Sequence, residues 1–200
     1  MSDNRAGLLA KAEATLINVL SRAPNHCFAH LVLGATLNAS KRAAQGIAEC
    51  ERALALDRNL AEAHAQIGLA KHLVGRGVET EACVNEALRL SPRDVFAHRW
   101  FNLAGLAKLA LNEDTEALSW FRRSVEANRN YPLAHFSLAV ALALLGSLDQ
   151  AREAAGAGLT INPNFTIRRF RDGAQSDNPI YLASRERLYE GMRLAGIPEG

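Results

Sequence analysis

Four Ala-His pairs, Ala29-His30, Ala63-His64, Ala97-His98 and Ala134-His135, are the side chains in this sequence best suited to metal binding or proton transfer, since imidazole ligates metals and titrates near neutral pH. Their separations of 34, 34 and 37 residues put one histidine in each unit of a repeat. Histidines a repeat apart stand roughly 10 Å from one another across packed helices, too far to share a coordination sphere. The spacing therefore assigns them a structural role, as large residues packed between paired helices. His26 and His30 have the i, i+4 spacing of a ligand pair, but His26 precedes the helix and no carboxylate or third ligand lies nearby. No metal site is expected.

Other chemistry is equally sparse. Arg168, Arg169 and Arg171 could grip a phosphate, yet Asp172 and Asp177 follow closely, which reads as a solvated linker. The sequence holds no Gly-rich phosphate loop, nucleophile elbow or His-Glu-x-x-His motif, so neither catalysis nor a cofactor is expected. Three scattered cysteines, Cys27, Cys50 and Cys83, form no disulfide framework or zinc site, which suits a reducing cytoplasm. A net charge of +2 from 23 basic and 21 acidic residues supplies no field for nucleic acid or anionic lipid. A long uncharged stretch, 131–148, is broken by Pro132, His135, Ser137 and Gly146, and the opening Met-Ser-Asp-Asn-Arg lacks the apolar core of a leader. Neither a membrane span nor a signal peptide is expected.

The elements that carry these residues are helical. With 36 Ala and 29 Leu in 200 residues, the chain is rich in helix formers, and no segment alternates as a strand would. We read it as a single all-α domain over 1–200, with repeats at 27–60, 61–94, 95–131 and 132–165. Each repeat is a hairpin of helix A and helix B: 27–39 with 43–56, 61–74 with 78–90, and 132–145 with 148–160. Gly34 and Gly68 sit where a side chain would keep the paired helices apart, and Ala53 and Ala87 do the same on helix B. The third repeat carries three extra residues, which predicts an elongated helix A over about 94–111. Residues 5–26 look like a helix B without its helix A, the pattern of a chain that begins mid-repeat or is cut from a longer protein. Residues 166–178 read as an irregular linker. The stripe Tyr181, Leu188, Met192 and Ala195 predicts a helix over 179–195 that caps the open face of the last helix B, where Leu159 and Ile161 would otherwise meet water.

The period, with small residues near the eighth, twentieth and twenty-seventh places of each unit and proline near the thirty-second, resembles the tetratricopeptide repeat over residues 5–165. Gly34, Gly68, Gly105 and Ala139 hold the eighth place, Ala12, Ala117 and Ala151 the twentieth, and Pro24, Pro92 and Pro163 the thirty-second. Gly46, Thr80, Arg58 and Arg129 depart from it. The resemblance implies a right-handed α-solenoid. A narrower likeness, carried by Leu88-Arg-Leu-Ser-Pro-Arg-Asp94, by residues 134–151 and by the ending Tyr189-Glu-Gly-Met-Arg-Leu-Ala-Gly-Ile-Pro-Glu199, is to the C-terminal repeat regions of bacterial proteins with a class III cyclase or winged-helix domain upstream.

In the tetratricopeptide fold the A helices line a concave groove. That implies a groove formed by Phe28, Leu31, Ala35 and Asn38, by Ala65, Leu69 and His72, by Phe96 and Arg99, and by Leu133, Phe136 and Val140, with some of these serving as core instead. Helix A of the first and fourth repeats contains no Lys, Arg, Asp or Glu. Chaperone-binding relatives clamp acidic tails with basic A-helix residues, whereas Leu31 and Ala35 stand there in this chain. The expected ligand is an apolar or amphipathic protein segment held by a non-enzymatic scaffold in a bacterial signalling protein. The alternative is self-association that pairs upstream domains.

Overall fold

The computed structural model describes residues 2–200, with side chains from Arg5 onward; Met1, in the stretch weighed as a leader, lies outside the described residues. Among them the structure is all-α. The chain divides into two compact units, one running up to Pro92 together with Gln175–Asn178, the other comprising Arg93–Ala174 and Pro179–Gly200.

Unit 1 contains α1 (Ser2–Arg22), α2 (Cys27–Ala39), α3 (Ala43–Leu56), α4 (Ala61–Leu73), a 3₁₀ turn (Gly77–Glu79) and α5 (Thr80–Leu90). The hairpins α2–α3 and α4–α5 follow the expected register, and α3 packs on α4. Close approach is what fixes that register. A Cβ added to Gly34 would strike Cys50 Sγ and come within 2.9 Å of the Gly46 carbonyl. Leu31, Cys50, Ala53, Ala63 and Ile67 form the core of this unit. In the second hairpin the expected start of helix B at 78 is a 3₁₀ turn, across which Arg76 grips Glu79 with hydrogen bonds of 2.6 and 2.8 Å.

Unit 2 contains α6 (Ala97–Ala110), α7 (Asp114–Ala127), α8 (Pro132–Leu144), α9 (Leu148–Ile161), α10 (Ile167–Asp172) and α11 (Pro179–Leu194). The three extra residues of the third repeat do not build the expected helix over 94–111. At 14 residues α6 is one longer than α8, and the rest of the insertion lengthens the turn ahead of it, 91–96. Gly105 explains why, since its Cα faces the Phe121 ring so closely that a Cβ would lie 2.6 Å from Cδ1. That contact pins α6 against α7, and the surplus must be absorbed before it. Every A-to-B turn then closes through one left-handed residue: Lys41 (φ 62°), Gly75 (φ 83°), Asn112 (φ 62°) and Gly146 (φ 82°).

The same shift reassigns the histidines. His30 Nε2 lies 2.9 Å from the Pro24 carbonyl, His64 Nε2 3.5 Å from that of Arg58 and His135 Nε2 2.8 Å from that of Arg129, each six residues back. They fasten the turn that enters each hairpin, and His30 also reaches helix B as expected, buried with its Nδ1 2.7 Å from Glu49 Oε2 of α3, a carboxylate where none was expected nearby. His98 is a different case. Its Nδ1 faces the Val95 carbonyl at 3.0 Å, only three residues back, its ring meets Tyr131 edge-on at 4.9 Å, and burial lowers its pKa. The residue in the six-back position of this hairpin is Phe101.

Candidate interaction faces

In unit 2 the face of the A helices is covered. The expected linker is partly helical, with Thr166 capping α10 by accepting from Arg169 N–H and Ile167 fully buried. The expected capping helix α11 packs on α8 and α6, the A helices, and not on the outer face of α9. Ile161 therefore stays exposed, while Tyr181, Leu188 and Met192 are buried. A small residue makes the crossing close: a Cβ on Gly191 would lie 2.6 Å from Val140 Cγ1. Arg187 anchors the other part of the helix, reaching Asp114 in a two-pronged pair of 2.6 and 2.5 Å. After α11 the chain turns back, and the Ile167 and Arg168 N–H groups donate to the Pro198 and Glu199 carbonyls at 2.9 Å.

This helix also buries a cation among neutral groups. The Arg185 guanidinium donates to the Tyr189 and Tyr181 hydroxyls (2.6 and 2.9 Å) and to the Phe170 carbonyl (2.8 Å), and stacks over the Phe170 ring at 4.3 Å. Hydrogen bonds and aromatic faces replace the water it loses. The arrangement locks α10 to α11. Its chemistry is structural.

In unit 1 the helices packed on α2 and α4 are α1, α3 and α5, together with their own mutual contact, and all three lie on the B side. The chain segment Gln175–Asn178 reaches the C-terminal ends of the A helices. Ser176 Oγ donates to the Leu73 carbonyl at 2.7 Å, Asn178 Nδ2 to that of Val74 at 3.2 Å, and Lys41 pairs with Asp177 at 2.7 Å. Phe28 is 58% exposed, and Ala35 and Leu69 are half-buried.

The other residues expected in the groove separate into two groups. Leu31, Asn38, Ala65 and His72 in unit 1, and Phe136 and Val140 in unit 2, are buried. Asn38 shows what holds such a residue inside: its Nδ2 donates to the backbone and side-chain oxygens of Gln66 at 3.1 Å, and its Oδ1 is pressed against Gly46 with no hydrogen bond. Phe96 and Arg99 are exposed at the start of α6, with the guanidinium 5.9 Å from the ring centre, and Leu133 is half-buried. Two residues on the unit 1 face were missed by the sequence reading. Gln66 and Glu62, joined by a 2.7 Å hydrogen bond, lie half-buried along α4 and give that face a polar strip. Their one-turn spacing in an A helix is the signal that could have found them.

Among the described residues no group of three or more His, Cys, Asp or Glu side chains is placed to hold a metal ion, and no helix is long and apolar enough to cross a membrane. The cysteines are free. Burial pushes the Cys50 thiol up to about 12, with the nearby carboxylates of Glu62, Glu49 and Glu51 adding to the effect.

No protein-family model matches the chain, and no curated protein matches it. Solved structures do. PilW, a widely conserved type IV pilus biogenesis factor, aligns with a TM-score of 0.73 at 19% identity over 96% of this chain and 86% of its own. PilF of Pseudomonas aeruginosa aligns with a TM-score of 0.72 at 22% identity, covering 95% and 88%. YrrB, described as a tetratricopeptide protein with an unusual peptide-binding site, aligns at 0.60 and 21% identity, covering 90% of each. At these identities the likeness is one of fold, and the fold is that of tetratricopeptide proteins.

Proposed function

We propose that the chain is a non-enzymatic scaffold that holds an apolar or amphipathic protein segment on the A-helix face of unit 1. The observation that carries this reading is Phe28, a large aromatic side chain left 58% exposed on a helix without Lys, Arg, Asp or Glu, two turns before half-buried Ala35, with Leu69 half-buried on α4. Exposed aromatic anchors beside small residues are what a partner side chain needs to exclude water, and Gln66 and Glu62 can hydrogen-bond its polar edge. YrrB, a relative in fold, is described as binding peptide, which supports the class of ligand. The face offers no cation to an acidic tail, so burying a free carboxylate there would leave it unpaired.

The finer setting, a regulatory part of a cytoplasmic bacterial signalling protein, is supported by the sequence likeness over about 88–199 and by three free cysteines. The test is peptide selection on the immobilised chain. The expected winners are amphipathic segments whose affinity falls at least about tenfold in a Phe28→Asp, Leu69→Asp variant. Selected peptides that bind this variant equally well, or that depend on a free C-terminal carboxylate, would overturn the proposal.

A further inference from the structure

We infer that the entry edge of the third hairpin, where α6 begins and α7 ends, is a second docking surface that takes an acidic peptide segment of another protein, with apolar residues between its carboxylates. The surface lies wholly in unit 2, and the inference is independent of the unit 1 face.

The first and third hairpins differ at three matching places. Counted from the close-packed glycines Gly34 and Gly105, residues His30, Glu49 and Arg52 of the first correspond to Phe101, Trp120 and Arg123 of the third. In the first hairpin Glu49 pairs with His30, at 2.7 Å, and with Arg52. In the third an indole stands in place of that carboxylate. The Phe101 and Trp120 rings stack with centres 6.0 Å apart, and the Arg123 guanidinium rests on both, 4.3 and 4.4 Å from their centres. Arg123 is exposed and forms no ion pair among the described residues. The rings fix where this cation stands without neutralising it, so little side-chain freedom is left to lose when a carboxylate arrives.

Other groups share this edge. Ser124, next to Arg123, donates to the His98 carbonyl at 2.6 Å, and the His98 ring faces the Val95 carbonyl, which brings the end of α7 against the turn that takes up the insertion. That turn carries Val95, at 78% the most exposed large apolar side chain among the described residues, and Phe96, 49% exposed beside the Arg99 guanidinium. Arg93 ahead of α6 and Arg129 after α7 are exposed and, like Arg123, form no ion pair among the described residues. Of the acidic residues beside them in sequence, Asp94 accepts the Phe96 N–H at 2.9 Å within the turn, and Glu126 pairs with none of these arginines.

Charge and apolar surface together identify the occupant. The arginines call for carboxylates, and Val95 and Phe96 for an apolar side chain between them, which is the composition of an acidic peptide. A nucleic-acid strand also supplies anions, but the ring faces on which its bases would stack are taken, since Trp120 is 8% exposed and Arg123 lies over the pair. A second copy of the chain would bring these arginines face to face with their like.

The probe is a labelled synthetic peptide of about ten residues, leucines set between glutamates, titrated into the full chain by fluorescence anisotropy. The expected result is binding at least about tenfold tighter than that of a version with lysine for glutamate, weakening with salt. Affinity should fall about tenfold in Arg123→Gln and about tenfold in Val95→Ser, Phe96→Ser, exposed sites whose replacement leaves the helical spectrum intact, and should be kept in Phe28→Asp, Leu69→Asp. Arg123→Glu should turn the preference toward the lysine peptide, which a merely structural arginine would not do. Unchanged binding in Arg123→Gln or in Val95→Ser, Phe96→Ser, or loss confined to the Phe28 variant, would overturn the inference. So would tighter binding of a single-stranded oligonucleotide of equal charge, since that assigns the edge to nucleic acid.

Discussion

The A-helix faces of the two units are alike in sequence and opposite in condition. Both α2 and α8 lack Lys, Arg, Asp and Glu, and both present an aromatic side chain. In unit 2, Phe136 and Val140 are 1% and 0% exposed, part of a core that takes in Leu188, Tyr189 and Met192 of α11. In unit 1, Phe28 remains 58% exposed and Gln175–Asn178 reaches the helix ends. An uncharged A helix is therefore not itself a binding site. It is a surface that must be covered, and the chain covers one of the two itself.

That contrast is sharpest at the ninth place of the repeat, where Val140 is sealed against Gly191 and Ala35 is half-buried; the phenylalanines hold different places, Phe28 the second and Phe136 the fifth, which Leu31 fills in α2. Phe136 lies on Gly158, stacks on Phe165 at 3.9 Å and is sealed, so Phe136→Ala should lower the unfolding free energy by about 3 to 5 kcal/mol in urea titration. Phe28→Ala should change it by less than about 0.5 kcal/mol. Similar losses at both positions would erase the distinction. The covering helix offers the next test. Gly191→Val forces a side chain into Val140 and should lower stability by about 1 to 3 kcal/mol, with faster proteolysis near the 173–178 segment, whereas an unchanged melting temperature would mean that α11 does not pack this closely.

Although the unit 1 face is open, the seam beneath it is shut. Cys50, with its pKa pushed up to about 12, should resist thiol reagents at pH 8 until the chain unfolds. The sign of its linkage follows: below pH 9 both states keep the proton, but between pH 9 and 12 only the unfolded thiol releases it, so stability falls as pH rises. Fast labelling of native Cys50 would show the seam to be loose. The smallest effect belongs to the turns, which the two units share. Gly146→Ala should cost about 1 kcal/mol through its left-handed backbone, and Asn112→Gly, at an equivalent place, should cost nothing.

The repeat register was legible because it is set by side chains that cannot be larger: Gly34 against Cys50 and Gly105 against Phe121 fix helix pairing wherever they occur. Composition and these glycines gave the helices to within a few residues. The dipeptide Ala97-His98 misled because it repeats the residue types of the other pairs without their partner, a carbonyl six residues back. The position of α11 was hidden for another reason. Tyr181, Leu188 and Met192 declare an apolar stripe but not which apolar surface it meets, and the choice of α8 over α9 depends on Gly191 and on the distant pairing of Arg187 with Asp114. Within the unit 1 face, sequence identified Phe28, Ala35 and Leu69, but could not tell them from Leu31 and Asn38, whose burial depends on packing against α3 and α4.

Amide hydrogen exchange of the full chain, with and without a selected amphipathic peptide, tests most directly whether unit 1 is the open face and unit 2 the closed one. The account predicts added protection in Cys27–Ala39 and Ala61–Leu73, with Pro179–Leu194 unchanged. Protection of Pro132–Leu144 accompanied by faster exchange in Pro179–Leu194 would contradict it, because the peptide would then be displacing α11 from the face assigned to the chain itself.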